Sequence, residues 1–431
     1  MTRDMSISRL GPATRPSPLG FSTVPGDAIA DYTNDSARVL WDPSPAGQGG
    51  PAFEVAGPRE KIYFNGPDIV AGIVTCGGLC PGLNDVIRGL VMALWNRYGV
   101  RRILGFRYGY RGLVKDASPG PIALEPDLVR YIHHTGGTIL GSSRGERPTK
   151  QMVDGLTERG VDVLFCVGGD GTMRGAQAIH DEVKQRGLPI AVVGLPKTID
   201  NDLPYIYQSF GFDTAVSVAV QAIRAARVEA AGAPNGVGLV RLMGRHAGFI
   251  AATASVASRE ADLVLIPELP FDLDGDDGLI AWLRARIKTR GEAVIVVAEG
   301  AGQEHLQRAV GTDASGNRRL SDIGIFLRDR LKGGLADVDA NLKYIDPSYI
   351  IRAAPAGSTD AIFCGRLADN AVHAAMSGRT GMVVGWWANE FTHVPLSAVI
   401  STSKQIDLDG PLWRSVVDTT GQPATLGAGR L

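Results

Sequence analysis

Residues 161–185 read VDVLFCVGGDGTMRGAQAIHDEVKQ: an apolar, β-branched run over Val161–Val167, a glycine-rich turn, then an amphipathic stretch with helical spacing. A short buried strand that ends in glycine and opens a helix is the unit of a parallel α/β sheet. The same texture recurs from Asp68 onward. Predicted strands at Ile69–Val74, Ile190–Val193, Val237–Val240, Leu263–Ile266, Ala293–Ala298 and Met382–Val384 alternate with predicted helices at Asn84–Trp95, Ala176–Gln185, Phe212–Ala230, Asp276–Thr289 and Asp322–Leu331. That many strands suit two Rossmann-like, doubly wound α/β domains facing each other, with ligands gathered at the carboxyl ends of the strands. The first residues, 1–66, are rich in Pro, Gly, Ser and Asp without sustained periodicity, and are expected to be an irregular extension. Phe21, Tyr32, Trp41, Phe53 and Tyr63 within it predict that it lies against the body or a neighbouring subunit.

Composition narrows the function classes. With 44 Lys and Arg against 45 Asp and Glu, the net charge of −1 asks for neither nucleic acid nor a polycationic partner, so any anion binding must be local. The chain has 55 glycines in 431 residues, well above the usual share of about 7%, and no G-x-y period that would read as collagen. Four scattered cysteines, Cys76, Cys80, Cys166 and Cys364, make no disulfide scaffold. Cys76 and Cys80 lack a second pair or a nearby His cluster, so packing is preferred to zinc. The start has no apolar segment of a signal peptide and no run suits a membrane span, which predicts a cytoplasmic protein with no membrane partner.

Four loops carry the chemistry. The first, TCGGLCPGLN at 75–84, follows a strand and opens a helix; paired glycines and a helix N-terminus suit a phosphate, although a plain strand-to-helix turn reads as well. In the second, Gly168-Gly169-Asp170-Gly171-Thr172, the glycines clear space, Asp170 can hold Mg²⁺ and Thr172 can cap the helix or donate to phosphate. Such a GGDGT loop also resembles those of NAD kinases and diacylglycerol kinases, and points to nucleotide phosphoryl transfer. The third, Lys197-Thr198-Ile199-Asp200-Asn201-Asp202, offers a cation, a hydroxyl and two carboxylates, the parts needed to take a hydroxyl proton and neutralise a transferred phosphoryl group; an Asx-rich turn is the plain alternative. In the fourth, Met243-Gly244-Arg245-His246, glycine allows close approach and Arg245 presents a planar fork to phosphate. A surface ion pair is the other reading of Arg245, and His246 is read as structural.

With these loops in this order the chain resembles the phosphofructokinase family, over about residues 68–396. GGTILGSSRG at 136–145, SFGFDTA at 209–215, AEG at 298–300, LKYIDPSYIIRA at 342–353 and LADNAVHAAMSGRTG at 367–381 extend the likeness, and the long amino-terminal segment looks like the plant and trypanosome subgroup. The resemblance implies an ATP-dependent 6-phosphofructokinase that transfers phosphate to O1 of fructose 6-phosphate with Mg²⁺, assembled as a dimer or tetramer. It implies Asp200 as general base, with Lys197, Thr198 and Arg245 beside it in catalysis, Asp170 at the metal, and Asp202 arranging metal or base. It places the donor phosphates on Gly77, Arg144, Gly145, Gly169, Asp170, Gly171 and Thr172. The sugar phosphate falls to Thr198, Ile199, Asp200, Met243, Gly244, Arg245, Glu299, Lys343, Tyr349, Ile350, Ile351 and Arg352. The implied layout is a donor domain over 67–210 with about 353–431, and a sugar-phosphate domain over 211–352.

Two departures concern the acceptor phosphate: the family's second-subunit arginine aligns near Gly236, and another of its arginines is Lys343 here, which keeps charge but loses the bidentate fork. A related acceptor such as sedoheptulose 7-phosphate, or a silent sugar-phosphate sensor, stays open beside the main reading. The donor turns on two positions, where the family's diphosphate enzymes have Asp then Lys and its short ATP enzymes Gly then Gly. Here they are Gly171 and Lys197. A carboxylate at 171 would oppose the α-phosphate of ATP by on the order of 4 kcal/mol at about 4 Å and an effective dielectric near 20. Glycine lifts that block, so ATP is expected over diphosphate.

Overall fold

In the computed structural model the described residues are 4–42, 50–143, 145, 148–307, 311 and 319–427. In chain order the principal strands are β1 (Arg38–Leu40), β2 (Ala52–Val55), β3 (Val70–Thr75), β4 (Arg102–Phe106), β5 (Ile122–Ala123), β6 (Val163–Gly168), β7 (Ala191–Pro196), β8 (Gly236–Leu242), β9 (Leu263–Leu265), β10 (Glu292–Ala298), β11 (Asn341–Ile345), β12 (Met382–Trp387) and β13 (Glu390–Pro395). The principal helices are α1 (Leu83–Tyr98), α2 (Thr149–Glu158), α3 (Asp170–Gln185), α4 (Phe212–Ala231), α5 (Phe249–Ser258), α6 (Leu279–Arg290), α7 (Ile323–Gly334), α8 (Ser348–Ala353), α9 (Ser358–Met376) and α10 (Pro411–Thr420).

Two sheets carry the molecule. A nine-stranded sheet runs β1-β2-β13-β12-β7-β6-β3-β4-β5, and a four-stranded sheet runs β9-β10-β8-β11. The centre of the first, β12-β7-β6-β3-β4, and the whole of the second are parallel. Parallel strands need both faces covered, and each has its helices. α1 and α9 pack on one face of the large sheet and α2 and α3 on the other, while α4, α5 and α10 face α6 and α7 across the small one. The spacing of α1 shows why: Leu83, Val86, Ile87, Leu90, Val91 and Leu94 are all buried, following the i, i+3, i+4, i+7 stripe. Each such side chain contributes about 1.5–3 kcal/mol on full burial.

The extension differs from the sequence expectation in having paired strands. Glu54, Arg59 and Arg379 form a buried ionic cluster that the exposed Asp35 caps from the surface, and β1 and β2 lengthen the large sheet through β13, with Thr392 opposite Val55. The strands are too short to show a period. At the other end, over residues 353–427, α9 and β12–β13 belong to the large sheet, whereas α10 packs on α5 and Gln422 accepts from the Val264 amide at 2.8 Å. The apolar face of α10, with Trp413 and Val416, is satisfied only by the second core. α3 begins at Asp170, six residues before the predicted Ala176, because the Gly169 carbonyl already accepts from the Thr172 and Met173 N–H groups of the first turn. Among the described residues no helix is long and apolar enough to cross a membrane.

Candidate active site

Register brings the chemical loops together. Thr75 lies opposite Val167, and Gly168 opposite Pro196, so the segments after β3, β6 and β7 leave neighbouring strands at the same level. In the small sheet Leu242 lies opposite Ala298, and Val240 opposite Ile345, which does the same for Met243–Arg245, Glu299 and the approach to α8. The two sets meet in a cleft of about 420 Å³ lined by residues of both bodies. Of the expected site residues, Gly77, Gly145, Gly169, Asp170, Gly171, Thr172, Lys197, Thr198, Ile199, Asp200, Arg245, Glu299 and Arg352 line it, as does Asp202.

On the large-sheet side, Gly77 has φ +87° and a Cβ there would stand 3.3 Å from Lys197 Nζ. The left-handed backbone lets the loop turn back without a side chain. Lys197 is buried and its Nζ donates to the Gly78 carbonyl at 2.7 Å, which fixes the cation at the mouth of the first loop. Asn84 fastens the 132–139 segment to α1: its amide donates to the carbonyls of Ile132 and Thr135, and its oxygen accepts from Ile139 N–H. Beyond Gly171 there is open space, the nearest atom to an added Cβ being Arg174 Nη2 at 3.9 Å. The Asp170 carboxylate forms an ion pair with Arg174 one turn along α3.

Asp200 is the meeting point of the two halves. Its Oδ1 is sealed from solvent with no hydrogen-bond partner, and its Oδ2 is 3.5 Å from the Arg245 backbone N–H. Burial, then the neighbouring charges of Asp202 and Glu299, push its carboxyl up to about 7, against Arg245 N–H and the Arg352 guanidinium. A carboxyl near 7 can accept a proton and return it under physiological conditions. Asp202 is held by the Thr198 hydroxyl, which donates to Oδ1 at 2.6 Å. The loop itself is braced by Asn201, whose left-handed backbone (φ 54°) and bonds to Tyr207 and Ser209 set its turn.

Other expected residues lie elsewhere. Met243 and Ile351 are buried in the small-sheet core, Tyr349 and Ile350 are 82% and 69% exposed, and none of them lines the cleft. Gly244 (φ +131°) shapes the turn that aims Arg245, since a Cβ would meet the Ala247 carbonyl at 2.5 Å. Lys343 is exposed on β11, outside the cleft lining. Arg144 lies outside the described residues. Sequence reasoning missed Ser403 and Arg174 in the lining, and Lys404, which packs over the Phe249 ring and donates to the carbonyls of Ile206 and Tyr207. The Lys404 ammonium is lowered to about 8 by burial, against the opposing charge of Asp202. Arg174 carries a local signal, four residues after Asp170 on a helix; Ser403 and Lys404 reach the site only through the tertiary fold.

Asp170 is a half-exposed carboxylate on the cleft wall, and among the described residues no three His, Cys, Asp or Glu side chains converge on a metal site. That donor set fits Mg²⁺, which is held by one or two carboxylates together with substrate phosphates rather than by a protein cage.

Comparison with known proteins bears on the family and the fold. The profile of the family described as Phosphofructokinase matches residues 70–375. A relative named ATP-dependent 6-phosphofructokinase from Amycolatopsis methanolica is 52% identical over 412 residues, covering 94% of this chain and 89% of that protein. One of the same name from Trypanosoma brucei brucei is 46% identical over 427 residues, covering 97% and 87%. Among solved structures, a pyrophosphate-dependent phosphofructokinase from Marinobacter aquaeolei superposes with a TM-score of 0.68 at 21% identity, covering 84% of this chain and 92% of that one, a likeness of fold. The α/β fold, the ordered loops of the cleft and the matched length together show that this chain belongs to the phosphofructokinase family.

Proposed function

We propose that the chain is an ATP-dependent 6-phosphofructokinase, transferring the γ-phosphoryl group of ATP to O1 of fructose 6-phosphate. The observation that carries this reading is Asp200: a buried carboxyl with an unpartnered oxygen, raised to about 7, on the cleft between the two bodies. As the O1–phosphorus bond forms and the bond to the departing ADP oxygen breaks, the O1 proton passes to Asp200. Arg245 and Lys197 face the charge on the transferred group, and the glycines at 77, 169 and 171 let backbone N–H groups approach the donor. Mg²⁺ on Asp170 would neutralise donor phosphate charge when bound. Glu299 and Arg352 supply a carboxylate for sugar hydroxyls and a guanidinium for the 6-phosphate. Gly171 leaves room for a nucleotide donor, and the names of the similar proteins agree with ATP.

The same reading divides the chain into a donor body, residues 67–210 with 353–400, and a sugar-phosphate body, 211–352 with 404–427. It also expects a dimer or tetramer, for which exposed Tyr349 and Ile350 supply apolar surface; light scattering of the purified protein tests that part. The functional test is turnover with Asp200→Ser beside the unsubstituted protein. Loss of kcat by about 10²–10⁴ with sugar-phosphate binding retained supports the base assignment, and an unchanged kcat overturns it.

A further inference from the structure

Arg241 has no place in the chemistry so far, yet three carboxylates from three elements surround it. It sits near the end of β8 between the buried residues Val240 and Leu242. Its Nη2 donates to Glu299 Oε2 at 2.8 Å, its Nη1 donates to Asp346 Oδ2 at 2.8 Å and to Ser348 Oγ at 3.4 Å, and Asp322 Oδ1 lies 4.0 Å from Nε. The side chain is 17% exposed and that of Glu299 16%, so the pair lies largely out of solvent. Asp346 in turn accepts from the Ser348 backbone N–H at 2.9 Å, at the first residue of α8, the short helix that carries Arg352.

We infer that Arg241 is a positioning residue for the sugar-phosphate half of the cleft, holding the Glu299 carboxylate with one nitrogen and the start of the Arg352 helix with another. This inference rests on the functional reading above. Glu299 and Arg352 both line the cleft, one from the end of β10 and the other from beyond β11, and Arg241 on β8 is the side chain that bonds to both supports. A charge-assisted bond on each side fixes two substrate-facing groups relative to one strand. Without the guanidinium, the largely buried Glu299 carboxylate loses its charge-assisted partner and Asp346 keeps only its bonds to Ser348. The donor loops lie on the other sheet and make no bond to Arg241 among the described residues.

The test is steady-state kinetics on the full-length chain with ATP and fructose 6-phosphate. Arg241→Met should raise KM for fructose 6-phosphate by roughly tenfold or more, as expected for loss of charge-assisted bonds, with KM for ATP within about twofold. Arg241→Lys, whose single ammonium cannot span both carboxylates, should fall between, and Asp346→Asn should reproduce part of the effect. In a Glu299→Gln background, Arg241→Met should add much less than it does alone. If Arg241→Met does not fold, Arg241→Lys and Asp346→Asn carry the same comparison. Unchanged KM for the sugar phosphate, an equal rise in both KM values, or full additivity with Glu299→Gln overturns the inference. An unsubstituted protein that does not turn over fructose 6-phosphate overturns the functional reading instead.

Discussion

Replacing Asp200 by Asn should inactivate the protein and, above neutral pH, make it more stable. The amide keeps the shape and the acceptor opposite Arg245 N–H but removes the charge that burial, Asp202 and Glu299 oppose. The difference between an ordinary 3.8 and about 7 corresponds to about 4 kcal/mol against the ionised form in the folded state. For a carboxyl raised in this way, the folded state favours the protonated form; that advantage is complete below about pH 4 and lost as pH rises through about 7. The two proteins should therefore unfold at nearly the same urea concentration near pH 4, diverge between pH 4 and 7, and differ by up to about 4 kcal/mol at pH 8, with the Asn variant the more stable. In the same samples kcat should fall by about 10²–10⁴. Urea unfolding at pH 5, 6, 7 and 8 with parallel rate measurements decides it. A stability offset that does not change with pH, or a less stable Asn variant at pH 8, would show that the folded state does not hold this carboxyl protonated.

Three further outcomes are expected. Gly171→Asp places a carboxylate where, among the described residues and apart from its own helix backbone, Arg174 Nη2 alone comes within 4 Å of the new Cβ, so thermal unfolding should move little while KM for ATP rises steeply, by electrostatics alone. Gly244→Ala meets both a φ of +131° and the Ala247 carbonyl; stability should fall by roughly 1–3 kcal/mol, and kcat/KM should fall as Arg245 is displaced. Glu54 is buried among Arg59, Arg379 and His393; burial pushes its carboxyl up, but His393 and Arg379 outweigh that and hold it well below the usual range. Its contribution is present above about pH 4.5 and fades as pH falls, so Glu54→Gln should cost about 3–5 kcal/mol at pH 7 and progressively less in acid, measured by urea unfolding.

Much of this architecture was legible because it is written locally. A β-branched run, a glycine-rich turn and an amphipathic stretch occupy consecutive residues, so β3, β6 and β7 and the loops that leave them could be read directly, with Asp170, Lys197 and Asp200 on those loops. What escaped depends on residues far apart in sequence. Arg241 falls just past the predicted strand Val237–Val240, and nothing local marks it; its role depends on Glu299, Asp322 and Asp346 gathering around it. Lys404 lies outside every predicted element, and its bonds to Ile206 and Tyr207 span nearly two hundred residues. β1 and β2 are three and four residues long, too short for a period, and exist because β13 offers them an edge. The segment YIIR at 349–352 shows the opposite limit: a motif marks a neighbourhood, but helical geometry turns Tyr349 and Ile350 to solvent and Ile351 to the core, leaving Arg352 at the cleft.

If this cleft moves a phosphoryl group from ATP to fructose 6-phosphate, the products identify the reaction. The most direct measurement incubates the purified chain with fructose 6-phosphate, Mg²⁺ and either ATP or diphosphate, and identifies the product. Fructose 1,6-bisphosphate and ADP in equal amounts are expected with ATP; turnover with diphosphate and none with ATP, or no bisphosphate with either donor, would contradict the proposed function.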